Sequence, residues 1–192
     1  MFADVQLVSE ARNGTPGAVE RLLDGWVPTV MAWCVRLGGK DVNAEDAAQD
    51  VFELMLDRLG DLRDPAAFPA WAFGITRRVM ARHRRHAWVR RWVPGAVVDA
   101  VEGRPDPLRR SEMSEVGRRV WTALETLPVH HREVLVLCDL EERADSEVAD
   151  MLGVPRNTVK SRLFRARAAL RGHLGDLAPT LLPDGAIAGS VS

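Results

Sequence analysis

Apolar side chains recur in this chain at intervals of three and four residues over most of its length and seldom alternate with polar ones. Only α-helices bury such a pattern on one face. β-branched alternation is rare and there is no Tyr, so strand signals are scarce. The expected fold class is therefore all-α. A first helix over Asp4 to Arg12 stops at Asn13-Gly14, and a second, starting near Pro16 and running to Leu37, ends at Gly38-Gly39, a glycine stop. Asn43 can cap a third helix that continues towards Leu59, with Glu45 and Asp46 set against the positive end of its dipole. Asp64-Pro65 reads as an N-cap followed by a first-turn proline. It opens a fourth helix with apolar positions Phe68, Trp71, Ala72, Ile75 and Val79.

A chain of 192 residues with 46% hydrophobic content can bury one good core or two small ones. The formal net charge of −1 conceals a strong segregation along the sequence. Between Asp41 and Asp64 acids dominate, and Asp46, Asp50, Glu53 and Asp57 fall at helical spacing as one acidic stripe beside the apolar Ala47, Val51, Leu54 and Met55. From Pro65 to Val98 there is no acidic residue, while Arg77, Arg78, Arg82, Arg84, Arg85, Arg90 and Arg91 accumulate. His83 and His86 lie among these arginines and are expected to be solvated or to touch phosphate. A second acid-free stretch, Pro155 to Gly175, carries Arg156, Lys160, Arg162, Arg165, Arg167 and Arg171. One acidic surface and two basic ones point to a protein partner and a polyanion.

Periodicity fails from near Pro94 to Arg110, where Pro94, Gly95, Gly103, Pro105 and Pro107 fall among small and charged residues. This gives an N-terminal helical domain, 1–93, a flexible linker, 94–111, a C-terminal helical domain, 112–174, and a flexible tail, 175–192. The second domain opens with a helix from near Glu112 to Leu127, interrupted by Pro128, and continues from Arg132 to Leu140. Cys34 and Cys138 sit far apart in apolar helical patterns and read as small buried hydrophobes. No run has the length and apolarity of a membrane span, and Met1 to Glu10 lack the features of a signal peptide, so the cytoplasm is the expected site of action.

The segment from Ala144 to Leu170, ADSEVADMLGVPRNTVKSRLFRARAAL, has the anatomy of a helix-turn-helix. A scaffold helix over Asp145 to Leu152 turns Val148, Ala149 and Leu152 inward. Gly153 bends the chain, Val154 plugs the angle, and Pro155 starts a second helix that buries Val159, Leu163, Ala166 and Leu170. Asn157, Thr158, Ser161 and Arg165 then face away, flanked by Arg156, Lys160 and Arg162. Arg can pair with guanine and Asn with adenine in a major groove, while the flanking cations supply affinity. Neutralising about six phosphates would give a log–log salt slope of about −5.

Three stretches carry a family resemblance. From Leu127, LPVHHREVLVLCDLEERADSEVADMLGVPRNTVKSRLFRARAAL resembles the domain of sigma-70 family factors that reads the −35 promoter element. NAEDAAQDVFELMLDRL resembles their segment that grips RNA polymerase, and FPAWAFGITRRVMARHRR the segment that melts and reads the −10 element. The short linker makes the chain similar to the extracytoplasmic-function subgroup, because larger members carry a further domain there. The resemblance implies that Asp46, Gln49, Asp50 and Phe52 contact core polymerase. It also implies that Trp71, Arg77, Arg78, Arg82, Arg84 and Arg85 belong to the −10 region, although Trp71 and Phe68 both lie on the apolar face. An anti-sigma protein partner is implied as well.

The chain departs from the family pattern at several positions. Arg78 and Arg82 stand where Asn and Asp are common, and Asn157 replaces a frequent Gly. Glu142 and Ala144 replace the common Gly and Ser before the scaffold helix, so its cap is expected from Asp145 or Ser146. No nucleophile–base pair, metal cluster or glycine-rich phosphate loop is visible, and no catalytic role, cofactor or metal is expected. Two alternatives remain on sequence grounds: a helix-turn-helix regulator that is not an initiation subunit, and a sigma-like protein that acts through protein contacts alone.

Overall fold

The structure, a computed structural model, describes residues 4–39, 41–92 and 115–175, and among these every regular element is helical. The expected linker, 94–111, and the tail beyond Gly175 lie outside the described residues. The chain divides into two compact units, one before and one after residue 105.

In the first unit α1 (Val5–Arg12) begins where the Asp4 carboxylate accepts hydrogen bonds from the amides of Gln6 and Leu7. Next comes α2 (Ala18–Gly38), whose buried seam Leu22, Trp26, Val30, Trp33, Cys34 and Leu37 repeats every three or four residues. Pro28 lies within α2 on its exposed side. There the Asp24 carbonyl, which loses its helical donor to the proline, can turn to water. Asn43 caps α3 (Ala44–Arg58) by accepting from the amides of Glu45 and Asp46, as its sequence position predicts. Asp64 also caps as expected, but it starts a short 3-10 turn, Pro65–Ala67, and α4 (Phe68–Trp92) follows directly.

Helix α2 packs against both α3 and α4, which pack against each other. An aromatic ladder ties α2 to α4: the Trp26 ring lies 5.0 Å from Phe68 and the Trp33 ring 5.0 Å from Phe73, both edge to face. Such pairs add about 1 kcal/mol each beyond the area they bury. The buried side of α4 is wider than the apolar positions suggest, for it takes in Phe73, Thr76, Met80 and His83 besides Phe68, Ala72, Ile75 and Val79. Gly38 lets the end of α2 close on its neighbours: a Cβ there would stand 2.9 Å from Met80 Cε.

The second unit contains α5 (Glu115–Thr126), α6 (Val129–Leu135), a π-helical turn (Val136–Leu140), α7 (Asp145–Leu152) and α8 (Arg156–Leu174). Pro128 holds the N-cap position of α6, so the interruption is a restart of the helix. Leu124, Leu127, Leu135, Ala166, Leu170 and Leu174 form the centre of its core.

Arginines close several helix ends in both units. The Arg84 guanidinium donates to the Leu37 carbonyl at 2.9 Å, Arg119 to that of Leu174 at 3.1 Å, and the buried Arg132 to those of Glu125 and Leu127 at 3.0 and 3.3 Å. Each answers carbonyls that a helix C-terminus leaves without an internal donor.

Candidate nucleic-acid interface

The geometry of the helix-turn-helix follows from a few residues. Gly153 adopts φ +65°, the left-handed conformation that stops α7 and redirects the chain. Pro155 occupies the N-cap position of α8. The buried seam of α8 is Val159, Leu163, Ala166, Leu170 and Leu174, and Val148, Ala149, Met151 and Leu152 are buried on α7. Asn157, Lys160, Ser161 and Arg165 are exposed on α8, with Arg156 at its start. Thr158 and Arg162 are half-buried at the edges of that face. The Ser161 hydroxyl donates to the Thr158 carbonyl at 3.1 Å.

Sequence reasoning passed over Phe164. Its ring is 57% exposed, and it lies on the same outward side of α8 as Ser161 and Asn157. An apolar residue beside the buried Leu163 reads as core unless its angle about the helix is followed. Arg167, counted above among the basic residues, is instead anchored: Nε and Nη2 donate to the two carboxylate oxygens of Asp139 at 3.0 and 2.5 Å. Asp139 belongs to the π turn, so this fork joins α8 to the segment before the scaffold helix.

One expectation about the helix-turn-helix is corrected. Neither Asp145 nor Ser146 caps α7: Ala144 holds the N-cap position with no side-chain hydrogen bond, and first-turn acids Asp145 and Glu147 face the helix dipole instead. Glu142, at the common glycine position, adopts φ +54°. The buried Arg143 beside it bonds Glu141 at 2.9 Å and also pairs with Glu147.

On α3, Gln49 and Glu53 are exposed and share a hydrogen bond of 3.2 Å, Phe52 is half-buried, and Leu56 is 50% exposed. Leu56 was not anticipated from the sequence, although it lies one turn after Phe52. Asp46 is half-buried, and its Oδ2 has no hydrogen-bond partner in the structure. Asp50 turns towards α4, where Arg82 Nη2 and His83 Nε2 both lie 2.6 Å from its Oδ2. His83 is 5% exposed, so the expectation of a solvated or phosphate-contacting imidazole is overturned. A helix spacing of four from Val79 carries His83 into the contact between α3 and α4, where a carboxylate receives it.

The other −10 candidates separate by position. Arg78 and Arg85 are exposed on α4, Arg77 is half-buried, and Arg84 is occupied at the end of α2. Trp71 is half-buried with its ring 5.5 Å from Phe68. Trp88, which the sequence reading did not single out, is 60% exposed.

Both cysteines are free thiols; burial pushes Cys34 up to about 12, and burial followed by the nearby Asp145 and Asp139 pushes Cys138 up to about 12. Neither is poised as a thiolate. Burial, then the positive potential of His130, Arg165 and Arg162, holds the His131 imidazole below its usual range. Among the described residues no cluster of His, Cys, Asp or Glu could hold a metal ion. No helix among them is long and apolar enough to cross a membrane.

Comparison with known proteins gives two family matches in chain order. Residues 22–90 match the family described as sigma-70 region 2, and residues 117–170 match sigma-70, region 4. A probable RNA polymerase sigma factor, RfaY of Xanthomonas campestris, is 30% identical over 168 residues, covering 85% of this chain and 42% of its own length. The ECF RNA polymerase sigma factor SigE of Mycolicibacterium smegmatis is 33% identical over 141 residues, 72% of this chain and 54% of its own. This chain thus spans about half the length of those two relatives. The solved structure of CnrH, in complex with the cytosolic domain of CnrY, aligns with a TM-score of 0.68 and 26% identity over 91% of this chain and 98% of CnrH.

Proposed function

This chain belongs to the sigma-70 family of RNA polymerase sigma factors, and from that membership we propose that it directs core polymerase to specific promoters and helps to open them, as an initiation subunit without catalytic chemistry. The observation that carries the reading is the pairing on one chain of a region 2 match and a region 4 match, the latter presenting an exposed polar and cationic face on α8.

In this reading Gln49, Phe52 and the exposed Leu56 dock α3 on the polymerase, with Asp46 and Asp50 at the edge of the contact. Helix α8 enters the major groove at −35, where Asn157, Ser161 and Arg165 reach base edges. Arg156, Thr158, Lys160 and Arg162 hold the flanking phosphates. Arg78 and Arg85, with Arg77 and Arg82 beside them, hold the separated strand near −10. Opening is driven by binding energy, with no hydrolysis. The action is cytoplasmic, where polymerase and promoter are. A second protein that occupies the polymerase face and holds the factor inactive is the further partner proposed; CnrH, which this chain resembles, likewise forms a complex with a protein, the cytosolic domain of CnrY.

A run-off transcription assay with bacterial core polymerase and the purified chain, on promoter fragments selected from random DNA, tests the proposal. Transcripts starting at a selected site are expected. Site-specific binding without transcripts, in the presence of core polymerase, would make the chain a plain helix-turn-helix regulator.

A further inference from the structure

We propose that Trp88 is a stacking platform for an unpaired DNA base, set at the end of an exposed basic stripe on α4; the inference rests on the promoter-opening function proposed above. Trp88 is 60% exposed, more than any other large apolar side chain among the described residues. Leaving an indole in water forgoes a large burial gain, since aromatic side chains have among the largest surfaces to hide. Helix α4 has a wide buried side that already holds Phe68, Phe73 and Met80. Trp88 is turned away from it.

The surroundings indicate the occupant. At helical spacing Trp88 continues the solvent side marked by Arg78, Ala81 and Arg85, all exposed. The segment from Pro65 to Val98 contains no acid, and Asp50 from α3 engages Arg82 and His83 instead. An aromatic face one turn from the exposed Arg85, on a stretch without acids, suits a polyanion carrying flat rings. The cores of protein interfaces, by contrast, are depleted of charged groups. Paired bases in a duplex are covered on both faces by their neighbours, so an unpaired or flipped base is what offers a free face. Three residues of helix advance about 4.5 Å, which keeps the phosphate of a base on Trp88 within reach of Arg85. Stacking of this kind tolerates any base. Trp88 would therefore hold the strand open at one point and leave the choice of sequence to other contacts.

Binding of the full-length chain to a fluorescein-labelled single-stranded oligonucleotide of mixed sequence, and to its duplex, is read by anisotropy, beside association with core polymerase. Trp88→Ala is expected to weaken single-strand affinity by about ten-fold, the scale of one base–aromatic stack. Trp88→Phe should keep most of it, and duplex affinity and polymerase association should stay as in the wild type. Far-UV circular dichroism and the melting temperature should not change, because the side chain is exposed. Equal single-strand affinity in wild type and Trp88→Ala, or no single-strand binding by the wild type, overturns the proposal. So does a loss of polymerase association with DNA affinity intact, which would make Trp88 a protein contact. If wild type and Trp88→Ala associate with polymerase and support transcription alike and bind the oligonucleotide alike, only the stacking role fails. A wild type that neither associates nor supports transcription removes the initiation function, whatever the oligonucleotide shows.

Discussion

The carboxylate of Asp50 on α3 and the imidazole of His83 on α4 meet at 2.6 Å, and Arg82 reaches the same oxygen at the same distance. The most basic stretch of the first unit is thus fastened to its most acidic helix from within. Asp50→Asn keeps the shape and removes the charge that holds both groups. Its expected cost is about 1 to 3 kcal/mol, the range for hydrogen bonds to charged partners, read by urea denaturation. Unchanged stability would mean that this carboxylate does not hold the two helices together.

Arg84 and Arg85 are neighbours in sequence with opposite expected effects. Arg84→Ala should lower stability by about 1 kcal/mol, through the Leu37 carbonyl it leaves without a donor, and should leave DNA affinity unchanged. Arg85→Ala should leave stability unchanged and reduce the salt slope of DNA binding by about 1. Parallel denaturation and salt titrations separate the two.

Arg165→Ala should weaken −35 recognition by about 1 to 3 kcal/mol and relax base preference at the position it reads. Footprints and base-substitution profiles measure this. An unchanged footprint with unchanged preference refutes the assignment of the outward face of α8.

His131 should titrate below its ordinary value of 6.5, chiefly through burial and then through the positive potential of His130, Arg165 and Arg162. The folded state disfavours its charged form. Its contribution to stability is therefore fully present above 6.5 and is lost as pH falls through the lower folded value. An NMR titration of the imidazole checks the direction, and Arg165→Ala should move the midpoint upward.

Glu142→Gly should stabilise the second unit by about 1 kcal/mol. A non-glycine residue at φ +54° carries left-handed strain that glycine does not. The expected readout is a higher urea midpoint with an unchanged slope.

The helices, the caps at Asn43 and Asp64, and the turn at Gly153 were legible because each depends on residues close in sequence. Periodicity also separated Val159, Leu163, Ala166 and Leu170 from Asn157, Ser161 and Arg165 on α8. Charge counting misled where tertiary partners decide. Nothing local distinguishes Arg84, Arg119, Arg132 and Arg167, which serve carbonyls and a carboxylate, from Arg78 or Arg165, which face water. The same blindness hid His83, whose carboxylate partner comes from another helix. It hid Phe164 and Trp88 in the reverse direction, since apolar residues left in solvent differ from core residues only by angle.

The forked bond between Arg167 and Asp139 has a consequence for selectivity. A reading helix resting on aliphatic contacts alone could roll a few degrees about its axis and adapt its contacts to whichever bases lie beneath. Pinned through a planar two-point grip, α8 instead offers every sequence the same alignment. In the role proposed for α8, mismatched DNA would have to bend to the protein or forgo the contact, and that rigidity would penalise the wrong site more than it rewards the right one.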